Sequence, residues 1–68
     1  MLLEEIAEKH GVSPEAIKSP SRLTEIVRAR HELFYVLWKS GLTLSEIGRK
    51  YNRTPATVFH AISKAEVI

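Results

Sequence analysis

The segment NRTPATVFHAISK, residues 52–64 of this 68-residue chain, carries side chains whose types and spacing suit contact with a nucleic acid. In a helix with about 100° per residue, its polar and its apolar residues fall on opposite sides. The outer side carries Ala56, Thr57, His60, Ser63 and Lys64. The inner side carries Val58, Ala61, Ile62 and Ala65, with Phe59 at its margin. No acid lies on the outer side before Glu66, so its donors and methyl groups can approach base edges and phosphates.

Metal, disulfide and catalytic chemistry are not expected. The chain has no cysteine, and His10, His31 and His60 are too widely spaced to form an H-x-x-x-H pair. No carboxylate pair, nucleophile with an adjacent base, or G-x-x-x-x-G-K-[ST] phosphate loop can be assembled. The sequence therefore predicts neither an enzyme nor a bound cofactor or metal.

The charge is distributed unevenly along the chain. The formal net charge is only +2, but residues 1–17 hold four glutamates against one lysine, and residues 18–68 hold nine lysines and arginines against four glutamates. A basic portion free of neighbouring acids is what a polyanion-binding surface needs. Ordinary surface variation is the alternative interpretation.

A capped helix precedes the segment. In LTLSEI, Thr43 and Glu46 fit a capping box, which predicts a helix from residue 43 to Lys50 or Tyr51. Asn52 tolerates a left-handed turn, and Thr54 and Pro55 fit the cap and the first position of the last helix. Two short helices joined by a tight turn, the second with a polar outer side, predict a helix-turn-helix rather than a merely solvated helix face.

Basic residues surround this predicted motif. Arg49 and Lys50 end its first helix, while Arg22 follows the loop-like KSPS and could reach a minor groove or only a phosphate. Arg30 falls among apolar positions, so its stem is expected to pack while its guanidinium reaches outward. The predicted DNA-binding residues are Arg22, Arg28, Arg49, Lys50, Arg53, Thr54, Ala56, Thr57, His60 and Lys64.

The remaining elements are also predicted to be helices. LLEEIAEKHG favours a helix of about nine residues that ends at Gly11, and Ser13-Pro14 begins a short second helix. Residues 21–40 lack proline and glycine and repeat apolar residues at helical spacing, which predicts a long central helix with Trp38 in the core. We expect an all-α, compact bundle of four to five helices with a C-terminal helix-turn-helix, and one domain over residues 1–68.

No basic leader followed by an apolar segment occurs at the N-terminus, and no run of 18 apolar residues occurs anywhere. The chain is accordingly expected to be cytoplasmic and not to contact a membrane.

Three segments resemble the C-terminal DNA-binding domain of the bacterial replication initiator DnaA, which shares its helical architecture with Trp repressor. They are IAEKHGVSPEAIK, VRARHELFYVLWK and LTLSEIGRKYNRTPATVFHAISK. The resemblance implies binding of double-stranded DNA in replication initiation or regulation of transcription. It also implies that Arg53 is the motif arginine, that Thr57 contacts a phosphate, and that Arg22 enters the minor groove.

The sequence departs from that family at the expected base readers. Thr54, Pro55 and Ala56 stand where the family has Asp-His-Thr, and the family's ATP-binding loop has no counterpart here. The resemblance therefore does not imply the family's recognition box or an ATPase activity. The alternative is a small helical protein-interaction module that docks on a partner through its last helix and an apolar patch of Phe59, Val67 and Ile68. A protein partner or a homodimer is also compatible with the sequence.

Overall fold

The computed structural model describes residues 2–67, and the side chains of residues 2–65, as an all-helical bundle with dimensions of 26 × 23 × 20 Å. Its helices are α1 (Leu2–His10), α2 (Pro14–Lys18), α3 (Thr24–Lys39), α4 (Leu44–Tyr51) and α5 (Pro55–Val67). The predicted compact bundle of four to five helices is thus confirmed. None of these helices combines the length and the apolar composition that crossing a bilayer requires.

Helix α3 is the centre of the packing, since it contacts α1, α2, α4 and α5. Every one of these helices contributes at least one buried apolar residue to a single core. The largest fully buried side chains are Ile17, Leu33, Phe34, Ile47 and Val58. Burial of such a side chain stabilises the fold by about 1.5–3 kcal/mol. The rings of Phe34 and Tyr51, whose centroids are 5.5 Å apart, join α3 to α4.

The predicted extent of α3 and the predicted role of Trp38 were wrong. Helix α3 begins at Thr24 because residues 19–23 instead form side-chain bonded turns, in which the N–H of Ser21 donates to Ser19 Oγ (3.2 Å). Trp38 is 39% exposed and packs beside Tyr35, with ring centroids 6.3 Å apart. The apolar face of α3 is wider than the surface its neighbours cover, so its last turn leaves the indole partly in solvent.

An ion pair on the surface joins α1 to α3. Glu32 accepts from Lys9 Nζ at 2.9 Å and lies 2.9 Å from His10 Nε2. The hydrogen bonds from Lys9 and then from His10 lower the pKa of Glu32 below its ordinary value. This contact orients α1 against the central helix outside the apolar core.

Candidate nucleic-acid interface

The N-terminus of α4, the first helix of the predicted motif, is capped by side chains close to it in sequence. The N–H of Glu46 donates to Thr43 Oγ1 (3.1 Å), and the N–H of Thr43 donates to Glu46 Oε1 (2.8 Å). These reciprocal bonds confirm the capping box, and the bond donated by the Thr43 N–H lowers the pKa of the Glu46 carboxyl. The start of α4 is therefore fixed by residues three positions apart.

The turn between α4 and α5 brings the backbone of Arg53 against Gly48. Asn52 adopts the predicted left-handed conformation, with φ of 57° and ψ of 49°, and the N–H of Arg53 donates to the carbonyl of Gly48 (2.7 Å). A Cβ on Gly48 would lie 2.3 Å from the carbonyl oxygen of Arg53. Residue 48 must therefore lack a side chain for the turn to close, a requirement that the helical pattern of α4 gave no reason to expect.

The second helix begins at the predicted cap. Thr54 Oγ1 accepts from the N–H of Thr57 (3.2 Å), and the two threonine hydroxyls are 2.9 Å apart. Pro55 occupies the first helical position, where its missing N–H leaves no bond unmade. The first turn of α5 contains no acidic residue.

Helix α5 has a buried side and an exposed side. Val58, Ala61 and Ile62 are buried against α3 and α4, as the inner side was predicted to be. The exposed residues on the other side are Thr54, Ala56, Thr57, His60 and Lys64. Phe59, expected at the margin, is 54% exposed, and its ring lies edge-on to His60 with centroids 5.8 Å apart.

A basic recess of about 220 Å³ lies between α3 and α5. It is lined by Arg30, His31, Phe34, Arg53, Thr57, His60, Ala61 and Lys64. Among these lining residues none is acidic. Burial, followed by the charges of Lys64 and Arg30, lowers the pKa of His31. The recess brings together four of the predicted site residues, Arg53, Thr57, His60 and Lys64.

The other predicted site residues lie apart from this recess. Arg49 lines a crevice between α4 and α5 with Arg53 and Thr54. Arg22 and Arg28 are exposed before and along α3. Lys50 is exposed beside a different hollow of about 330 Å³, lined with residues of α1, α2 and α3 and with no described residue of α5.

The expectation for Arg30 was wrong in one respect: its guanidinium points inward and the residue is only 9% exposed. It donates to the carbonyls of Ile17 (Nε, 2.8 Å), Ser19 (Nη2, 2.6 Å) and Ser21 (Nη1, 3.1 Å). Burial, and then the charge of Arg53, lowers the pKa of Arg30. The residues before α3 have carbonyls without helical partners, and these carbonyls draw the guanidinium inward.

Arg53 reaches the same loop from the other side. Its Nη2 donates to the carbonyl of Ser19 (2.7 Å), and its Nη1 donates to the carbonyl of Tyr51. Arg30 and Arg53 together form what we call the arginine clasp on Ser19. The sequence pattern did not predict this clasp. The feature that could have indicated it is Arg30 itself, an arginine at an apolar position of the central helix.

Two short capped helices joined by a left-handed turn, the second with a basic and polar outer side, define a helix-turn-helix domain. The described part of the chain offers no group of three histidine or carboxylate side chains that could hold a metal ion. The model for the bacterial DnaA protein helix-turn-helix matches residues 1–65, and the chain belongs to this family.

Curated relatives are named chromosomal replication initiator protein DnaA. The protein of Kosmotoga olearia is 37% identical over 68 residues, covering 98% of this chain and 15% of the relative. That of Oleidesulfovibrio alaskensis is 35% identical over 66 residues, covering 96% and 14%. That of Ureaplasma parvum is 38% identical over 69 residues, covering 98% and 15%. The chain thus spans about 15% of the relatives' length, and no solved structure gives a significant match.

Proposed function

We propose that this domain binds double-stranded DNA by placing α5 in the major groove, in replication initiation or in regulation of transcription. The observation that supports it most directly is the exposed outer side of α5 beside the basic recess, because none of the described side chains on that side is acidic. A role in replication is suggested by the name of the relatives. ATP hydrolysis is not part of the proposal, because these residues contain no phosphate-binding loop.

The residues have distinct proposed roles. Thr54 and Ala56, in and before the first turn of α5, face base edges, because the N-terminal residues of a recognition helix approach the bases. Thr57, His60 and Lys64 line the recess and contact the phosphate backbone. Opposite charges across this contact would steer the encounter as well as stabilise it.

The remaining basic residues would add affinity without reading sequence. Arg22, Arg28, Arg49 and Lys50 are exposed; the three arginines would approach phosphates beside α5, whereas Lys50, next to the hollow lined by α1, α2 and α3, would add positive charge from farther away. Arg53 contributes its charge to the recess while two of its nitrogens hold backbone carbonyls. Its proposed contact with DNA is thus combined with a structural role.

Selection from random duplexes, followed by a salt titration of the selected site, tests the proposal. If about five phosphates are neutralised, the plot of log K against log salt concentration should have a slope of roughly −4 to −5. The double variant Thr57→Ala/Lys64→Ala should bind more weakly with a shallower slope. Lys39→Ala is the matched control, since Lys39 is an exposed cation at the end of α3, outside the recess. A slope near zero would reject the basic footprint.

A second candidate function is docking on a protein partner through α5. The exposure of Phe59 favours it, whereas the Val67 and Ile68 side chains expected in the same patch lie outside the described residues. This candidate predicts weak DNA binding that is insensitive to salt. The titration above separates the two functions.

A further inference from the structure

His31 lies in the wall of the basic recess, although it was not among the predicted DNA-binding residues. It is half-buried on α3 and shares the recess with His60 and Lys64 of α5. The positive charges of Lys64 and of its chain neighbour Arg30 act on its ring. Histidine is the side chain whose charge ordinarily changes between pH 5 and pH 8. A group that can gain a proton therefore lies where a phosphate would enter.

Positively charged and titratable groups of several elements face the His31 ring. They are Arg28 and Arg30 of α3, Arg53 of the turn, and His60 and Lys64 of α5.

The acid nearest to His31 in the chain, Glu32, does not line the recess. It lies with His31 in a neighbouring hollow of about 280 Å³. Its two oxygens are each 2.9 Å from a nitrogen of α1, one on Lys9 and one on His10. None of the residues that line the recess is acidic. The positive charges of the recess thus have no carboxylate among the lining side chains to balance them.

These surroundings favour the neutral form of His31 in the free domain. Burial first, and then the charges of Lys64 and Arg30, lower the pKa of His31 below its ordinary value of 6.5. The ring is therefore mostly uncharged at pH 7 as long as the recess holds no anion.

An anion in the recess reverses this balance. Each phosphodiester of DNA carries one negative charge, and an opposite charge within about 4–6 Å favours the charged form of a titratable group. The recess encloses only about 220 Å³, so a phosphate there would lie close to the ring. It would raise the pKa of His31, and the imidazolium could then donate a charge-assisted hydrogen bond to a phosphate oxygen.

We propose that His31 takes up a proton from solvent when the domain binds DNA, and that the resulting imidazolium donates to a backbone phosphate held in the basic recess. This proposal rests on the proposed function. Binding tightens as pH falls through the raised pKa of the complex, and the gain is complete below the lowered pKa of the free domain. DNA affinity is thereby coupled to pH near neutrality.

A pH titration of DNA binding tests the proposal. The affinity for the selected duplex is measured by fluorescence anisotropy from pH 8.0 to about pH 5.5 at constant ionic strength. It should rise roughly tenfold, which corresponds to a pKa that is about one higher in the complex than in the free domain. Calorimetry in buffers of different ionisation enthalpy counts the protons, and about half a proton should be taken up at the midpoint of the profile.

Two variants compare the two histidines of the recess. His31→Gln keeps a polar side chain that cannot become charged, so its pH profile should be nearly flat and its proton uptake close to zero. His60→Gln is the matched control, because it removes the other histidine that lines the recess. It should weaken binding at every pH and retain most of the proton uptake.

A third variant tests the location of the proton without changing His31. Lys64→Ala removes one of the positive charges that act on the ring, so the pH range over which affinity changes should move to higher pH. Circular dichroism at both ends of the pH range verifies that each variant is folded. If His31→Gln does not fold, His60→Gln and Lys64→Ala still decide the proposal.

The outcomes separate the proposal from the proposed function. Salt-dependent binding that does not change between pH 8.0 and about pH 5.5 overturns the proton uptake and leaves DNA binding standing. Loss of the uptake in His60→Gln but not in His31→Gln overturns the role of His31. An unmoved pH range in Lys64→Ala places the titrating group outside the recess and overturns the proposal as well. Absence of any salt-dependent DNA binding removes the proposed function itself.

Discussion

The helix-turn-helix and the loop between α2 and α3 are held by different kinds of contact. In the motif, Thr43 bonds Glu46 and Thr54 bonds Thr57, each pair three residues apart. In the loop, the carbonyl of Ser19 is held by Arg30, 11 residues away, and by Arg53, 34 residues away. Short-range bonds therefore specify the ends of the motif's helices, whereas the loop combines short-range bonds among Ser19, Ser21 and Leu23 with the two long-range bonds to Arg30 and Arg53.

We expect substitutions in the contacts of the loop to destabilise the domain more than substitutions in the motif. Arg30→Ala removes the donor of the Ile17 and Ser21 carbonyls and leaves the Ser19 carbonyl with Arg53 alone, and we expect it to lower the free energy of unfolding by about 3 kcal/mol. Urea denaturation measures the change. Arg28→Ala is the matched control, since Arg28 is exposed on the same helix, and it should cost less than about 0.5 kcal/mol. Equal losses of unfolding free energy in the two variants would mean that water satisfies these carbonyls as well as the guanidinium does.

The close turn of the motif gives the next largest expected effect. Gly48→Ala forces a methyl group against the carbonyl oxygen of Arg53, so we expect a loss of roughly 1–3 kcal/mol. Glycine to alanine within an ordinary helix would instead stabilise by about 1 kcal/mol. Thermal unfolding followed by circular dichroism decides the sign. Ser45→Ala, at an exposed position of the same helix, should be close to neutral.

A smaller effect is expected from the short-range bonds of the motif. Thr43→Ala removes the cap of α4 and should destabilise the domain by about 1 kcal/mol. Thr24→Ala is an informative control, because α3 begins after Leu23 without any side-chain cap. If both variants lose the same stability in urea, the distinction between locally capped and distantly held elements fails.

The smallest effect concerns acid stability. The pKa of Glu32 is lowered in the folded state by its bonds to Lys9 and His10, so its stabilising contribution is present above the ordinary value of 4.5 and disappears as pH falls through the lowered value. The contribution should be below about 1 kcal/mol, because the pair is partly exposed. Glu32→Gln should make the unfolding free energy less steep in that acidic range. Glu25→Gln, on the same helix, serves as the control, and an identical pH profile in both variants would exclude the ion pair.

The difference between short-range and long-range contacts explains which features could be predicted from the sequence. The caps at Thr43 and Thr54 and the left-handed Asn52 follow from local residue preferences, and all three were confirmed. The start of α3 was placed three residues too early, because the bonds among Ser19, Ser21 and Leu23 compete with helix formation.

Properties that depend on distant residues were harder to predict. The orientation of Arg30 depends on carbonyls brought close by the packing of α2 against α3, and the exposure of Trp38 depends on where the neighbouring helices end. For the candidate site, periodicity predicted which residues of α5 face outward. It did not predict that those residues share a recess with His31 and Arg30. The contacts of the site residues with DNA stay predictions.

The division of α5 has a consequence for how this domain could change its specificity. The residues that hold the helix, Val58, Ala61 and Ile62, are separate from Ala56 and Phe59, which face outward. Substitutions on the outward positions leave core packing untouched, so many different surfaces can be presented from one stable scaffold. Under the proposed function, a library restricted to the exposed positions of the last helix would explore new DNA sites at little risk to folding.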